Sequence, residues 1–188
     1  MAALIDRTTL RTSYEELAAR LRDDASGSFV RPYVETRLVR DVTVESSFTQ
    51  YDRPFTFTSD EAHHRGGHED GPSPMRFFLS GIAFCQQGWY AKGSALIGCD
   101  VESLELDVRT YMDMRGEHGF EGVPPNPQWL LFDIRVASDC AADRVLEMVD
   151  WGDARCPLGV LVRRAVPVYE RVALNGTTIR DTTPADLP

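Results

Sequence analysis

An α+β fold with antiparallel sheet is what the residue pattern predicts, and three observations carry the prediction. Apolar and polar residues alternate in several short stretches, as strands buried on one face require. One long, almost wholly apolar stretch, Gly71 to Gly93 (GPSPMRFFLSGIAFCQQGWYAKG), has helical spacing instead. The elements come partly in runs: helix, two strands, core helix, two strands, bent helix, strand. A chain of 188 residues with a hydrophobic fraction of 43% fits one domain with a sizeable core.

Residues 1–32 read as a helical preface. Ser13 with Glu16 makes a capping box, and Tyr14, Leu17, Ala18 and Leu21 form a stripe on one face. Asp23 to Ser28 (DDASGS) breaks it, and the simplest role is an amphipathic helix laid on the core or on a partner subunit. Next comes a β pattern. Thr36, Leu38, Val42 and Val44 share one parity and Glu35, Arg37, Asp41 and Glu45 the other, with an interruption at Val39–Arg40. Phe55 and Phe57 begin a second strand after a turn-like segment, so a hairpin is expected. Asp60 to Asp70 (DEAHHRGGHED) is a polar loop holding His63, His64 and His68 beside Glu69. Such a set could bind a metal ion, but no regular spacing fixes its geometry, and the expectation is no metal.

The central helix starts at Ser73-Pro74, a capping residue followed by one that loses nothing at the first helical position. Phe78, Ile82, Cys85 and Trp89 make its stripe, and Lys92-Gly93 is the expected end. Read alone, Cys85 is a small hydrophobe in a buried helix. Leu104 to Met112 alternates as a strand, Arg115 to Pro127 is a loop, and Trp129 to Ala137 is another strand. Asp139 can cap a helix over 141–151, with Val145, Leu146, Met148 and Val149 inward. Trp151-Gly152 ends or bends it, and Arg155-Cys156-Pro157 starts a second piece reaching about Arg164. Pro157 suits the first helical position, which puts Cys156 at the cap. There the helix N-terminus and Arg155 favour a thiolate, so Cys156 reads as the more acidic thiol, with a purely structural cap as the alternative. Val168, Val172 and Leu174 mark a last strand, and 177–188 reads as a poorly ordered tail.

A formal charge of −9 argues against nucleic acid or an anionic membrane as partner. No apolar run approaches the roughly 20 residues of a membrane span, and no basic-then-apolar leader opens the chain, so a cytoplasmic location is expected. Cys85, Cys99, Cys140 and Cys156 are too few and scattered for a disulfide framework. There is no Gly-rich phosphate loop and no nucleophile elbow, and no cofactor is expected.

Two segments together resemble the OsmC/Ohr superfamily, the osmotically inducible and organic hydroperoxide resistance proteins. GPSPMRFFLSGIAFC is similar to its helix start, which leads through small and apolar residues to a cysteine. RCPLGVLVRRAVPV is similar to its second signature, a Cys-Pro pair opening a helix that ends at a Val-Pro-Val strand. The match covers about residues 34 to 175, which suggests an N-terminal helical extension (1–32), an OsmC-like domain (33–176) and a tail (177–188). The resemblance implies antiparallel sheets wrapped around two central helices in an intertwined homodimer. It also implies reduction of organic hydroperoxides, with Cys85 becoming a sulfenic acid, Cys156 resolving it to a disulfide, and an external dithiol reducing that. Cys99 and Cys140 match no site of the family and read as structural.

One departure bears on activity. The family's peroxidases place a glutamate after the proline at the helix start, paired with an arginine that supports the thiolate; here that position is Met75. A thioether cannot hold an arginine by an ion pair. Arg53, in the first hairpin, matches the arginine position, with Arg37 and Arg40 as substitutes and Glu69 or Asp70 as replacement acids. Two other functions stay open beside the peroxidase: binding of an apolar or thiol-bearing small molecule in the same pocket, and a dithiol redox sensor.

Overall fold

The computed structural model describes residues 4–187. It divides into two compact units, one made of Ala18–Ser80 and the other of the residues up to Leu17 with those from Gly81 onward.

The mixed α+β architecture follows the sequence reading, and several element boundaries differ from it. The first helix, α1 (Arg7–Asp23), begins earlier than the Ser13 box. Asp6 takes the capping role instead, accepting from the Thr9 amide at 3.0 Å and its hydroxyl at 2.7 Å. Where a hairpin was expected, the smaller unit holds a three-stranded meander: β1 (Glu35–Arg40), β2 (Thr43–Gln50) and β3 (Arg53–Ser59). The interruption at Val39–Arg40 is a register shift leading into a turn, with Asp41 at φ 45°. Tyr51 and Asp52, at φ 54° and 56°, form the two-residue turn between β2 and β3, the doubly left-handed geometry that matches strand twist. Phe48, Phe55 and Phe57 share one face of that hairpin, with ring centroids 5.5 and 5.9 Å apart.

The polar loop after β3 is built around one carboxylate. Asp60, 1% exposed, accepts the backbone N–H groups of Glu61, His68 and Asp70 at 2.8, 3.0 and 3.1 Å. Burial works to raise its pKa, yet these donors win and hold it at about 2. Gly71 is needed there, since a Cβ would stand 2.3 Å from the Thr58 carbonyl oxygen.

The central helix, α2 (Pro74–Ile97), runs a full turn beyond Lys92-Gly93. Gly93 is a packing residue, not a terminator: a Cβ on it would lie 2.8 Å from the Met148 carbonyl oxygen. Gly98, at φ +83°, ends the helix. The larger unit continues with β4 (Ser103–Thr110), the short α3 (Met114–Glu117) and β5 (Leu130–Ala137). Then follow α4 (Ala142–Asp153), α5 (Pro157–Ala165), β6 (Val168–Leu174) and β7 (Thr177–Asp181). The sheet order is β4-β5-β6-β7. It is not wholly antiparallel: β5 and β6 run parallel, because the α4–α5 segment carries the chain back to the starting end of the sheet. Residues 177–181 are an edge strand on β6 and not part of an unordered tail. Asp139 does not cap α4; Ala141 holds the cap position, with no side-chain bond. The core of this unit is Leu130, Phe132, Ile134 and Val172 from the sheet against Ile82, Val145, Met148 and Val149 from the helices.

Candidate functional site

The site begins with how α2 is turned. The stripe read from the sequence was Phe78, Ile82, Cys85 and Trp89. The face that is buried is instead Ile82, Gln86, Tyr90 and Gly93, while Phe84 is 73% exposed and Phe78 45%. Cys85 therefore lies at the edge of the buried face, half-buried, with one side open to approach.

The second cysteine is placed as its Cys-Pro context predicts. Cys156 is the N-cap of α5, Pro157 takes the first helical position, and the Cys156 Sγ accepts from the Gly159 N–H at 3.2 Å. The Cys156 thiol points at Cys85, with the two Sγ atoms 3.2 Å apart. Both are free thiols. A disulfide bond is about 2.05 Å long, so an approach of little more than 1 Å would join them.

The acidity expected of Cys156 is a correction. Its side chain is wholly buried. Burial pushes the thiol up to about 11, with Cys85 adding to the effect, against the opposing pull of the Gly159 and Leu158 N–H groups. The helix terminus acts as predicted, but loss of water outweighs it. Cys156 is thus a buried thiol held 3.2 Å from Cys85, which is the more exposed residue of the pair.

Behind the pair lies a buried polar network that sequence reading missed. Gln86, fully buried, donates through Nε2 to Asp153 Oδ1. Tyr90 donates its hydroxyl to the same oxygen at 2.8 Å, and Arg163 reaches it at 3.1 Å. Arg163 also pairs with Glu170, which Arg180 reaches at 3.1 Å. Burial, with Glu170 as neighbour, raises the Asp153 carboxyl to about 7, although Arg163 and Tyr90 pull it back. Burial acts on Glu170 in the same sense, but the Asp153 hydrogen bond and Arg163 bring it below the ordinary range. One proton shared between two carboxylates is the physical description. Gln86 Oε1, without a hydrogen-bond partner, packs over Gly159, where a Cβ would meet it at 2.3 Å. Gly159 therefore holds the start of α5 against α2 and keeps Cys156 in reach of Cys85. A signal was present: Gln86 and Tyr90 fall at positions i+4 and i+8 from buried Ile82, on the buried face.

The other predicted residues belong to the Ala18–Ser80 unit. Arg53 opens β3 opposite Gln50 and is exposed. Arg37 pairs with Glu45 at 2.8 Å, and Arg40 pairs with Asp70 at 2.6 Å. Met75 is the second residue of α2 and is half-buried. Two of the loop histidines go separate ways: His63 Nδ1 lies 3.0 Å from the Gly67 carbonyl, and His68 Nε2 is 2.8 Å from Asp41. Among the described residues no group of three or more His, Cys, Asp or Glu side chains is placed to hold a metal ion. Among them, too, no helix is long and apolar enough to cross a membrane.

A family model described as OsmC-like protein matches residues 67–171, a span that includes both Cys85 and Cys156. No match is found among curated protein sequences. Among solved structures, an OsmC-like protein from Mycoplasma pneumoniae superposes with a TM-score of 0.64 at 16% identity. The match covers 77% of this chain and 97% of that one. An organic hydroperoxide resistance protein OsmC from Legionella pneumophila gives 0.56 at 14% identity, over 77% and 98%. A Vibrio cholerae protein named for organic hydroperoxide resistance, with captopril in one of its active sites, gives 0.54 at 15% identity, over 82% and 99%.

Proposed function

The chain belongs to the OsmC-like protein family, and on that premise we propose that it is a cysteine-dependent peroxidase that reduces organic hydroperoxides. The observation that carries the reading is the unequal pair of thiols, half-buried Cys85 facing buried Cys156 at 3.2 Å. Cys85, as thiolate, attacks the distal oxygen of the hydroperoxide. An S–O bond forms, the O–O bond breaks, and the alcohol leaves with a proton. The Cys156 sulfur then attacks the Cys85 sulfenic acid, water departs, and a disulfide remains. An external dithiol reduces it by exchange. The N–H groups of Leu158 and Gly159 support the charge that Cys156 carries at the moment of attack.

Arg53 is assigned the family arginine's role, with the Arg40–Asp70 ion pair as the substitute acid–arginine combination where Met75 replaces the family glutamate. The protein is taken to act as a homodimer. Phe84, Leu158 and Leu161, at 73%, 37% and 60% exposure, lie on the helices that carry the two cysteines and form an apolar surface for a second copy.

The test is stopped-flow oxidation of the reduced protein by cumene hydroperoxide, followed by thiol counting. Loss of two thiols into a Cys85–Cys156 disulfide is expected. Unchanged peroxide consumption by Cys85→Ser would end the proposal. The second reading, a non-peroxidatic protein binding an apolar or thiol-bearing molecule, is favoured by Met75 at the acid position. It requires saturable ligand binding that survives Cys85→Ala.

A further inference from the structure

Cys99 and Cys140 are far apart in sequence, yet they come together at one corner of the larger unit. Gly98 ends α2 in the left-handed conformation, and the N–H groups of Gly98 and Cys99 both donate to the Ser94 carbonyl at 2.9 and 3.1 Å. The Ser94 hydroxyl fixes the Cys99 carbonyl in return, at 2.6 Å. Cys140 arrives from the turn between β5 and α4, where its N–H donates to the Ser138 hydroxyl oxygen at 3.0 Å. That hydroxyl donates to the Asp100 carbonyl and stands 3.6 Å from Cys99 Sγ.

Both thiols point at the same acceptor: Cys99 Sγ is 4.0 Å and Cys140 Sγ 3.8 Å from the Asp100 carbonyl oxygen. The pair repeats the asymmetry of the first site. Cys99 is wholly buried, Cys140 half-buried, and both are free. Burial pushes the Cys99 thiol up to about 11, and the neighbouring Cys140 adds to it. The Arg144 guanidinium, bonded to the Ile97 carbonyl, supplies a positive charge beside the corner. A cleft of about 640 Å³, lined by Arg7, Arg11, Ala95 and Asp100 among others, opens onto Asp100.

We propose that Cys99 and Cys140 form a second redox-active dithiol, which closes to an intramolecular disulfide when a hydroperoxide reaches Cys140. The Cys140 sulfur takes the distal oxygen and the alcohol leaves. The Cys99 sulfur then displaces water from the sulfenic acid, so two thiols supply the two electrons that cleave the O–O bond. This centre works apart from the first. Cys85 lies 12 positions before the end of α2, about 18 Å along the axis, too far for exchange between the pairs.

The experiment uses the full chain with Cys85→Ser and Cys156→Ser, treated with cumene hydroperoxide and mapped by trypsin. The four cysteines fall in four separate tryptic peptides: 77–92, 93–109, 136–144 and 156–163. Expected is loss of two thiols, a linked pair of 93–109 with 136–144, and a Tm raised by roughly 5–15 °C that dithiothreitol reverses. Cys99→Ala should remove both the linked pair and the Tm rise. The same linked pair must appear in the oxidised wild-type chain, which covers a double variant that fails to fold. Both thiols persisting, Cys140 oxidised while Cys99 stays reduced, or 136–144 linked only to a second copy of itself would each overturn the proposal.

Discussion

Replacing Gly159 with alanine puts a methyl group between Gln86 and Cys156, beside the cysteine pair. The added Cβ would stand 2.3 Å from Gln86 Oε1, 3.3 Å from Cys156 Cβ and 3.4 Å from its Sγ. Gln86 has little room to yield, being fully buried and tied to Asp153 through its amide nitrogen. Overpacking of this kind costs about 1–3 kcal/mol. Alanine recovers about 0.5–1 kcal/mol over glycine inside a helix. A net loss of about 1–2 kcal/mol follows, and at about 2–4 °C per kcal/mol for a chain of this size the Tm should fall by roughly 2–8 °C. The chemical effect should be larger than the thermal one. A shift of the Cys156 sulfur by a fraction of an ångström slows its attack on the Cys85 sulfenic acid, about tenfold or more, since misplacement by 1 Å can cost a hundredfold. The assay is the lifetime of the sulfenic acid, trapped by dimedone after a single addition of cumene hydroperoxide, beside a thermal melt. Gln86→Ala in the same chain removes the obstructing oxygen and should restore the resolving rate. A Gly159→Ala protein that melts at the wild-type temperature and resolves at the wild-type rate would refute the account of this contact.

Four further outcomes follow from the same geometry. Cys156→Ser should consume one equivalent of peroxide and stop, with a trappable sulfenic acid on Cys85, as single-turnover thiol counting would show. Arg163→Ala leaves Asp153 and Glu170 buried with less compensation. Breaking such a pair costs about 3–5 kcal/mol, which side-chain exposure of 27% discounts to roughly 2–4 kcal/mol in a denaturant titration. The carboxyl of Asp153, raised to about 7, binds a proton in the folded chain at pH values where the unfolded chain has released it. Stability should therefore fall as pH rises through 7, and Asp153→Asn should flatten that dependence in melts between pH 5 and 8. Asp60→Ala leaves three part-buried N–H groups without their acceptor and should cost about 1–3 kcal/mol, with faster amide exchange at Glu61, His68 and Asp70.

Most of the element order was legible because it rests on local signals. The Cys-Pro pair set the start of α5, and the alternation at Leu104–Val108 set β4. What failed depends on contacts distant in sequence. Gly93 looked like a helix end, because a glycine that admits the Met148 carbonyl is indistinguishable in sequence from one that tolerates a positive φ. The residues of β7 looked like a tail because Thr177–Asp181 is polar and gains its order by pairing with β6. The parallel β5–β6 pairing could have been inferred, since two helices between strands are a crossover. The stripe on α2 differs from the sequence pattern because Gln86 and Tyr90 are polar and yet lie on the buried face, where Asp153 accepts from both. The convergence of Cys99 with Cys140 had no sequence signal at all.

In the proposed mechanism the roles of Cys85 and Cys156 turn on a competition that sequence alone could not decide. A helix N-terminus favours a charge by about 0.3–1 kcal/mol in exposed settings, and that term makes Cys156 read as the more acidic thiol. Its side chain has no exposed surface, so the charged form gives up its water for two N–H groups, and the thiol moves up instead of down. A resolving cysteine benefits from that outcome. Kept protonated and covered, it is spared direct attack on peroxide and spared overoxidation, which both require an accessible thiolate. It needs only to be within bonding distance when Cys85 becomes electrophilic, and the helix-start N–H groups are there to take up the charge at that moment. Burial thus reverses the acidity that the Cys-Pro motif by itself suggests and fits Cys156 to the resolving role proposed for it.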